Sequence, residues 1–307
     1  MNRRPALSLW LVVLLFTAGG ASCPNVLHQY VEPIPPVLSQ RATLEEVIRV
    51  VNDNSAKIRS FETRSGTISI KNFPDLKANV VYEQPRRFRL LAKSLLGEEV
   101  DLGSNDELFW LWVGRNKPKE LYYCRHDRFD TSPARRVIPV EPNWLVAALG
   151  LVTFDPRDEQ QGPFPAAGGL LEIRTRHRTP AGDLLKVTLV DDRRGWVMEQ
   201  RLYDAGGRML ASAKTARHHS VSVDGNPDHR AAMPREVRIE WPPAGLTMTI
   251  DLGDVQINPA RVSEAVWTRP NYSGWKNVDL STMRLPPSLE RRPPPQRIPP
   301  VEYRGGR

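Results

Sequence analysis

The chain has 307 residues, of which 40% are hydrophobic and 25% charged, with a formal net charge of +8. That composition suits one large or two small globular domains and excludes a polytopic membrane protein. Two cysteines exclude a disulfide-dense scaffold, and no Cys/His spacing points to a zinc site. The excess positive charge sits at the ends: Arg3 and Arg4 open the chain, and six Arg against two Glu lie in Arg284–Arg307. No basic stripe is left on the body for a nucleic acid, so none is expected as a partner. A basic tail suits weak attraction to anionic head groups, or simple solvation.

Residues 1–22 read as a secretion signal. Arg3 and Arg4 form the positive start, Leu7 to Phe16 an apolar run, and Thr17 to Ser22 the small residues of a cleavage region. A ten-residue apolar helix is ~15 Å long, about half of a ~30 Å hydrocarbon core, so it makes a poor permanent span. Gly20-Ala21-Ser22-Cys23 resembles a bacterial lipobox, although Gly20 stands where a Leu-like residue is common. That resemblance implies acylation at Cys23 and a membrane anchor. The alternative is an ordinary signal cut near Ala21, with Cys23 a free thiol. Residues 23–40 carry Pro33, Pro35 and Pro36 without a sustained period and read as an extended tether.

One body follows, 41–283. Thr43 and Glu46 form a capping box, and Leu44, Val47, Ile48, Val51 and Ile58 keep a helical period to about Ser60. The period then switches to two. Thr67–Ile70, the runs around Ala78–Tyr82 and Phe88–Ala92, Leu108–Val113 and Glu120–Cys124 read as antiparallel strands with short turns. Leu108–Val113 is apolar on both faces and should be covered on both. Pro139–Gly150 reads as a short helix with Asn143 as its cap and Trp144, Leu145, Ala148 and Leu149 on one face. Phe154–Gly169 is rich in Pro, Gly and charge and reads as a flexible loop. Strands resume over 170–177, 184–190, 196–203, 208–217, 235–241 and 246–252. The tail 284–307 holds seven prolines, cannot supply ladder donors, and reads as disordered or polyproline-like.

No Gly-rich phosphate loop, nucleophile elbow or His-Glu-x-x-His is present. His218-His219 is the one histidine cluster, and on a strand the two rings point to opposite faces. Asp191-Asp192 and Asp155, Asp158 and Glu159 read as solvated turn residues. Cys124 reads as a small buried hydrophobe. No catalytic residue, metal or cofactor is expected. Two helices and a large antiparallel sheet must bury their apolar faces together. That interior is either an ordinary filled core or a ligand cavity rich in aromatic side chains.

Thr43–Ser60 leads directly into Phe61 to Ile68. Tyr82-Glu83-Gln84-Pro85-Arg86-Arg87-Phe88-Arg89-Leu90 is followed by Gly103 to Trp112. This order resembles the LolA/LolB-type periplasmic lipoprotein carriers over about 43–124. The resemblance implies an α+β fold: a strongly curved, unclosed antiparallel half-barrel with helices covering its concave face. It implies a hydrophobic cavity for lipid or the acyl chains of lipoproteins. The matching inward positions are Ile68, Ile70, Val80, Tyr82, Phe88 and Leu90, with Trp110 or Trp112 and the short-helix residues Trp144 and Leu145 completing the lining. The function so implied is non-covalent binding, and transfer or localisation, in the bacterial envelope. The alternative is a non-catalytic interaction protein whose core is filled.

Overall fold

The computed structural model describes residues 36–129, 131–132, 142–179 and 182–283. The signal segment, Cys23, most of the tether, the Asn143 side chain and the tail 284–307 lie outside the described residues. Helix α1 spans Leu44–Ala56 and starts where the Thr43 hydroxyl accepts from the Glu46 amide at 3.2 Å. The Thr43 backbone N–H reaches the Glu46 carboxylate in return, although Ser39 is its stronger partner. That carboxylate accepts from the Ser39 amide at 2.9 Å and the Ser39 hydroxyl at 2.8 Å, which fixes the incoming chain. The helix ends before Ser60 because the Asn258 side chain takes the amides of Arg59 and Ser60 at 2.9 and 3.0 Å. The chain is thereby drawn into a strand.

Strands β1 (Ser60–Ile70), β2 (Leu76–Glu83), β3 (Arg87–Ser94), β4 (Gly97–Ser104), β5 (Leu108–Val113) and β6 (Glu120–Arg125) form a meander. Short helices α2 (His126–Phe129) and α3 (Pro142–Ala148) follow. A second run comprises β7 (Glu159–Ala166), β8 (Leu170–Thr179), β9 (Gly182–Asp191), β10 (Val197–Tyr203) and β11 (Met209–Ala216). After the hairpin β12 (His219–Val223) and β13 (Asn226–Met233), strands β14 (Glu236–Trp241) and β15 (Leu246–Asp251) join this run to β1. The result is one curved, unclosed fifteen-stranded sheet running from β17 (Lys276–Asp279) to β7, with β16 (Val255–Ile257) paired to β1.

The expected loop at 154–169 is instead largely the edge strand β7. Its Pro and Gly residues are tolerated because an edge needs only one paired side, and the register shifts between Gln161 and Phe164 to absorb Gly162 and Pro163. The charge-rich face of β12–β13 and the short pieces after residue 252 carry no clear period and escape a sequence reading.

Strands β3 and β10 stand six places apart in the sheet, about 29 Å if it were flat. One core nevertheless runs from Phe88 and Leu90 through the intervening strands to Leu202 on β10. The same core takes in Trp144, Val146 and Ala148 of α3. Helix α1 packs Val47, Val50 and Val51 beside Ile173, Val190 and Val197 of the second run. Its polar side chains stitch elements together. Asn52 brackets the Phe154 backbone at 2.8 and 3.1 Å, Asn54 brackets Ala232 at 2.8 and 3.0 Å, and Ser55 Oγ donates to the Val152 carbonyl at 2.6 Å.

The other face of β3–β6 is covered by the segment after residue 258. Asp101, wholly buried, accepts from both sides of the Arg89 guanidinium at 3.1 and 2.8 Å, from Trp110 Nε1 at 3.1 Å and from the Tyr272 hydroxyl at 2.9 Å. The Trp110 ring lies flat over Gly103, where a Cβ would collide with it. Trp112 stacks on Tyr272 at 4.0 Å. In Leu108–Val113 the side chains Phe109, Trp110 and Trp112 are buried, so both faces are partly covered, while Val113 at the end of the strand is exposed.

This anchor gives the first expectation. Tyr272→Phe removes a donor to a buried carboxylate and should cost about 1.5–3 kcal/mol. Asp101→Ala strands Arg89 and should cost about 3–5 kcal/mol. Urea unfolding of the two variants measures both.

Candidate functional site

The apolar side of the sheet is built by alternation. Tyr82 faces Phe88, Val80 faces Leu90 and Ala78 faces Ala92 across β2 and β3. Ile68 faces Ile250, and Ile70 faces Met248, across β1 and β15. Ile68, Val80, Tyr82, Phe88, Leu90 and Trp144 are buried in this one cluster, with Ile70 and Leu145 half-buried against it. Eight of the ten side chains expected to line a cavity therefore meet. Burial pushes the Tyr82 phenol up to about 12, so it stays neutral here.

Trp110 and Trp112 do not join them. The register sets Phe88 across from Ser104 and Phe109, and Leu90 across from Leu102 and Leu111. Residues 110 and 112 alternate onto the opposite face, where they pack with Leu121, Tyr272 and Trp275. A residue's face on β5 depends on its registration with β4, which the apolar run 108–113 does not disclose.

In this structure the apolar face is filled. Leu149, Leu202, Leu210 and Met233 are buried against it. A separate small space of ≈ 10 Å³, about one water, lies beside α1, bounded by Val51, Asn54, Gly150, Trp196 and His218. The filling is imperfect in its polar groups. Among the described residues no partner meets the buried Trp144 Nε1, Thr175 Oγ1, Thr188 Oγ1 or Gln200 Oε1. Thr188 lies across from Ile173 on one side and Gln200 on the other. Gln200 spends its amide nitrogen on the Ala147 carbonyl of α3 at 2.5 Å. Each orphaned group costs about 1–3 kcal/mol. The contact between α3 and the second run is thus weaker than its apolar area implies. These polar positions look like ordinary strand residues in the sequence, and nothing there marks them.

The chain's reactive groups are quiet. His126 Nε2 lies 3.3 Å from Ser104 Oγ but 2.9 Å from the Asn105 carbonyl. A ring nitrogen that donates to a carbonyl cannot also take a serine proton. His177 Nδ1 pairs with Asp158 at 2.8 Å on the outer strands β7 and β8, half-exposed. Burial pushes the Cys124 thiol up to about 11. Asp191 caps its turn, accepting from the amides of Arg193 and Arg194 at 3.1 and 2.6 Å. Among the described residues no three His, Cys, Asp or Glu side chains gather as metal ligands, and no helix is long and apolar enough to cross a membrane.

No family model and no curated protein matches the sequence. Similar solved structures include a LolA superfamily protein from Nitrosomonas europaea, at 11% identity and TM-score 0.44, covering 72% of this chain and 97% of that one. Another, described as an outer-membrane lipoprotein-sorting domain from Vibrio parahaemolyticus, is 11% identical with TM-score 0.47 and covers 73% and 97%. A DUF1329 family protein from Desulfovibrio piger is 12% identical with TM-score 0.47 and covers 76% and 98%. The likeness is one of fold and transfers no residue role.

Two measurements test this site. Thr188→Val removes an orphaned hydroxyl at constant shape and should raise stability by about 1 kcal/mol in denaturant titration. Burial holds His126 and His218 below the ordinary imidazole range. The unfolded chain therefore binds more protons below about pH 6.5. Stability from the neutral rings is present above that value and is lost as pH falls through the folded values. His218→Gln should flatten part of this acid-side slope.

Proposed function

We propose that this protein is a lipid-anchored, periplasm-facing envelope protein that takes acyl chains, of lipid or of lipoproteins, on the apolar face of its half-barrel. The observation that carries the reading is a continuous apolar face shared by β2, β3, β10 and β11 under a seven-residue helix, α3, with unpartnered polar groups beneath it. In this reading α3 is the helical cover, and Trp144 and Leu145 yield their place to the ligand. Acyl burial supplies roughly 25 cal/mol per Å². An ester or amide of the ligand can pair the orphaned hydroxyls. Transfer is non-covalent and needs no nucleophile, metal or cofactor.

The membrane side of the reading has its own support. Leu95 and Leu96 at the β3–β4 turn are 105% and 89% exposed, and Phe73 at the β1–β2 turn is 60% exposed. Strand direction puts both turns at one end of the sheet. Such a group of large apolar tips is costly in water and suits contact with a bilayer. Anchoring through acylated Cys23 completes the assignment.

The second reading is an interaction protein without a ligand. It is favoured by the filling of the face by Trp144, Leu202, Leu210 and Met233. The deciding experiment uses the full chain carrying Cys23→Ser, purified from a bacterial envelope without detergent, in native mass spectrometry and lipid extraction. Acyl binding predicts co-purifying lipid or acylated peptide. That ligand should be lost in Leu90→Asp if the variant still folds, and taken up more slowly in Thr188→Val. A ligand-free protein that also ignores a fluorescent fatty acid would overturn acyl binding in favour of the interaction protein.

A further inference from the structure

The hairpin β12–β13 forms a separate two-stranded sheet with no ladder bonds to the large one. Val223, Ala231 and Met233 tie it to the apolar core. It packs against β16, and side chains of α1 and its exit tie it further: the Asn54 bracket on Ala232, Lys57 Nζ on the Arg230 carbonyl at 3.2 Å, and Arg59 on Asp224 at 3.2 Å. Between the hairpin and residues 253–260 lies a cleft of ≈ 750 Å³. That is within the size range of small-molecule sites.

The cleft has two chemically different parts. Its apolar part is Val221, Val255 and Ile257, and all three belong to or pack against the core that holds Phe88 and Leu90. Its polar part carries Arg230, Arg235 and His219. Arg230 spends all three guanidinium nitrogens on neutral oxygens, the Ser220 hydroxyl at 2.8 Å, the Ser220 carbonyl at 2.7 Å and the Pro227 carbonyl at 3.5 Å, which an oxyanion would have to displace. Among the described residues no carboxylate stands within ion-pair distance of it. Arg235 reaches Asp251 only at 3.6 Å, and Arg217 already holds that carboxylate at 2.5 Å. His219 keeps a buried Nδ1 without a partner. Of the lining acids, Asp224 is engaged by Arg59, which leaves Asp254 as the carboxylate with no ion pair among the described residues. Two guanidinium groups thus line the cleft with one carboxylate that has no ion pair among the described residues.

We infer that this cleft is the mouth of the apolar face and takes the acidic head, carboxylate or phosphate, of the amphiphile whose chain the face accepts. This rests on the acyl-binding reading and adds the head group to it. A guanidinium fork pairs an oxyanion with two parallel hydrogen bonds, a match that a neutral ester or alcohol lacks. The apolar wall then guides the chain inward. The hairpin, free of ladder bonds to the large sheet, flanks this entrance, while α3 remains the cover over the chain.

The test compares 12-NBD-dodecanoic acid with its methyl ester on the full chain carrying Cys23→Ser, by fluorescence titration. The acid should bind at least tenfold more tightly. Arg230→Gln/Arg235→Gln should abolish that preference while leaving ester affinity unchanged. Arg230→Lys/Arg235→Lys, which keeps the charge, should retain part of it. Competition by palmitate against palmitoyl-lysophosphatidic acid distinguishes carboxylate from phosphate. Equal binding of acid and ester to the natural residues overturns the acidic mouth while acyl binding stands. Binding of neither probe overturns acyl binding, and the mouth with it.

Discussion

A long open antiparallel sheet has two faces and two edges, and every other feature of this protein answers that exposure. Alternation makes one face apolar from β3 through β1 to β10, and water cannot be left against it. One core runs along this face from β3 to β10, and α1 and α3 contribute the remaining apolar side chains. The opposite face is covered differently in its two halves. Over β3–β6 it is closed by the segment ending in β17, and over β9–β11 it carries Glu/Arg pairs such as Glu199 with Arg201.

The closing segment depends on one buried charge. Asp101 sits where an unpaired carboxylate would be prohibitive, and it is tolerable because Arg89, Trp110 and Tyr272 all donate to it. A pair of this kind contributes little net stability against an apolar replacement. It does specify the arrangement, since other placements of Tyr272 would forfeit its bond to the buried carboxylate. The Trp110 ring fits against the sheet because residue 103 has no side chain.

Buried polar atoms without a partner among the described residues occur on both sides of the sheet: Trp112 Nε1 and Trp267 Nε1 on the Asp101 side, Thr175, Thr188 and Gln200 on the apolar side, and His219 Nδ1 in the hairpin. Those of the apolar side and the hairpin lie beside a continuous apolar face. A core meant solely for stability would replace Thr175 and Thr188 with Val at no cost in shape. The side chains that fill the face and the groups left unpaired beneath them belong together if the filled state is one that ligand displaces.

Much was legible in the residues alone. The Thr43 cap, the period-two strands of the first meander and the short helix around Trp144 are local signals, set by backbone geometry and neighbours three or four positions away. So was the convergence of Ile68, Val80, Tyr82, Phe88 and Leu90, because alternation fixes which residues of one strand share a side. The tertiary structure decided what depends on partners far along the chain. Register between β4 and β5 turned Trp110 and Trp112 away from the apolar face. Pairing with β8 made a strand of the Pro- and Gly-rich residues after Glu159. The Asn258 side chain, about two hundred positions away, ended α1 and began β1. Whether the apolar face stands open or filled is also a tertiary matter. It is set by the volumes of Leu149, Leu202, Leu210 and Met233, which a sequence places inward without saying what space remains between them.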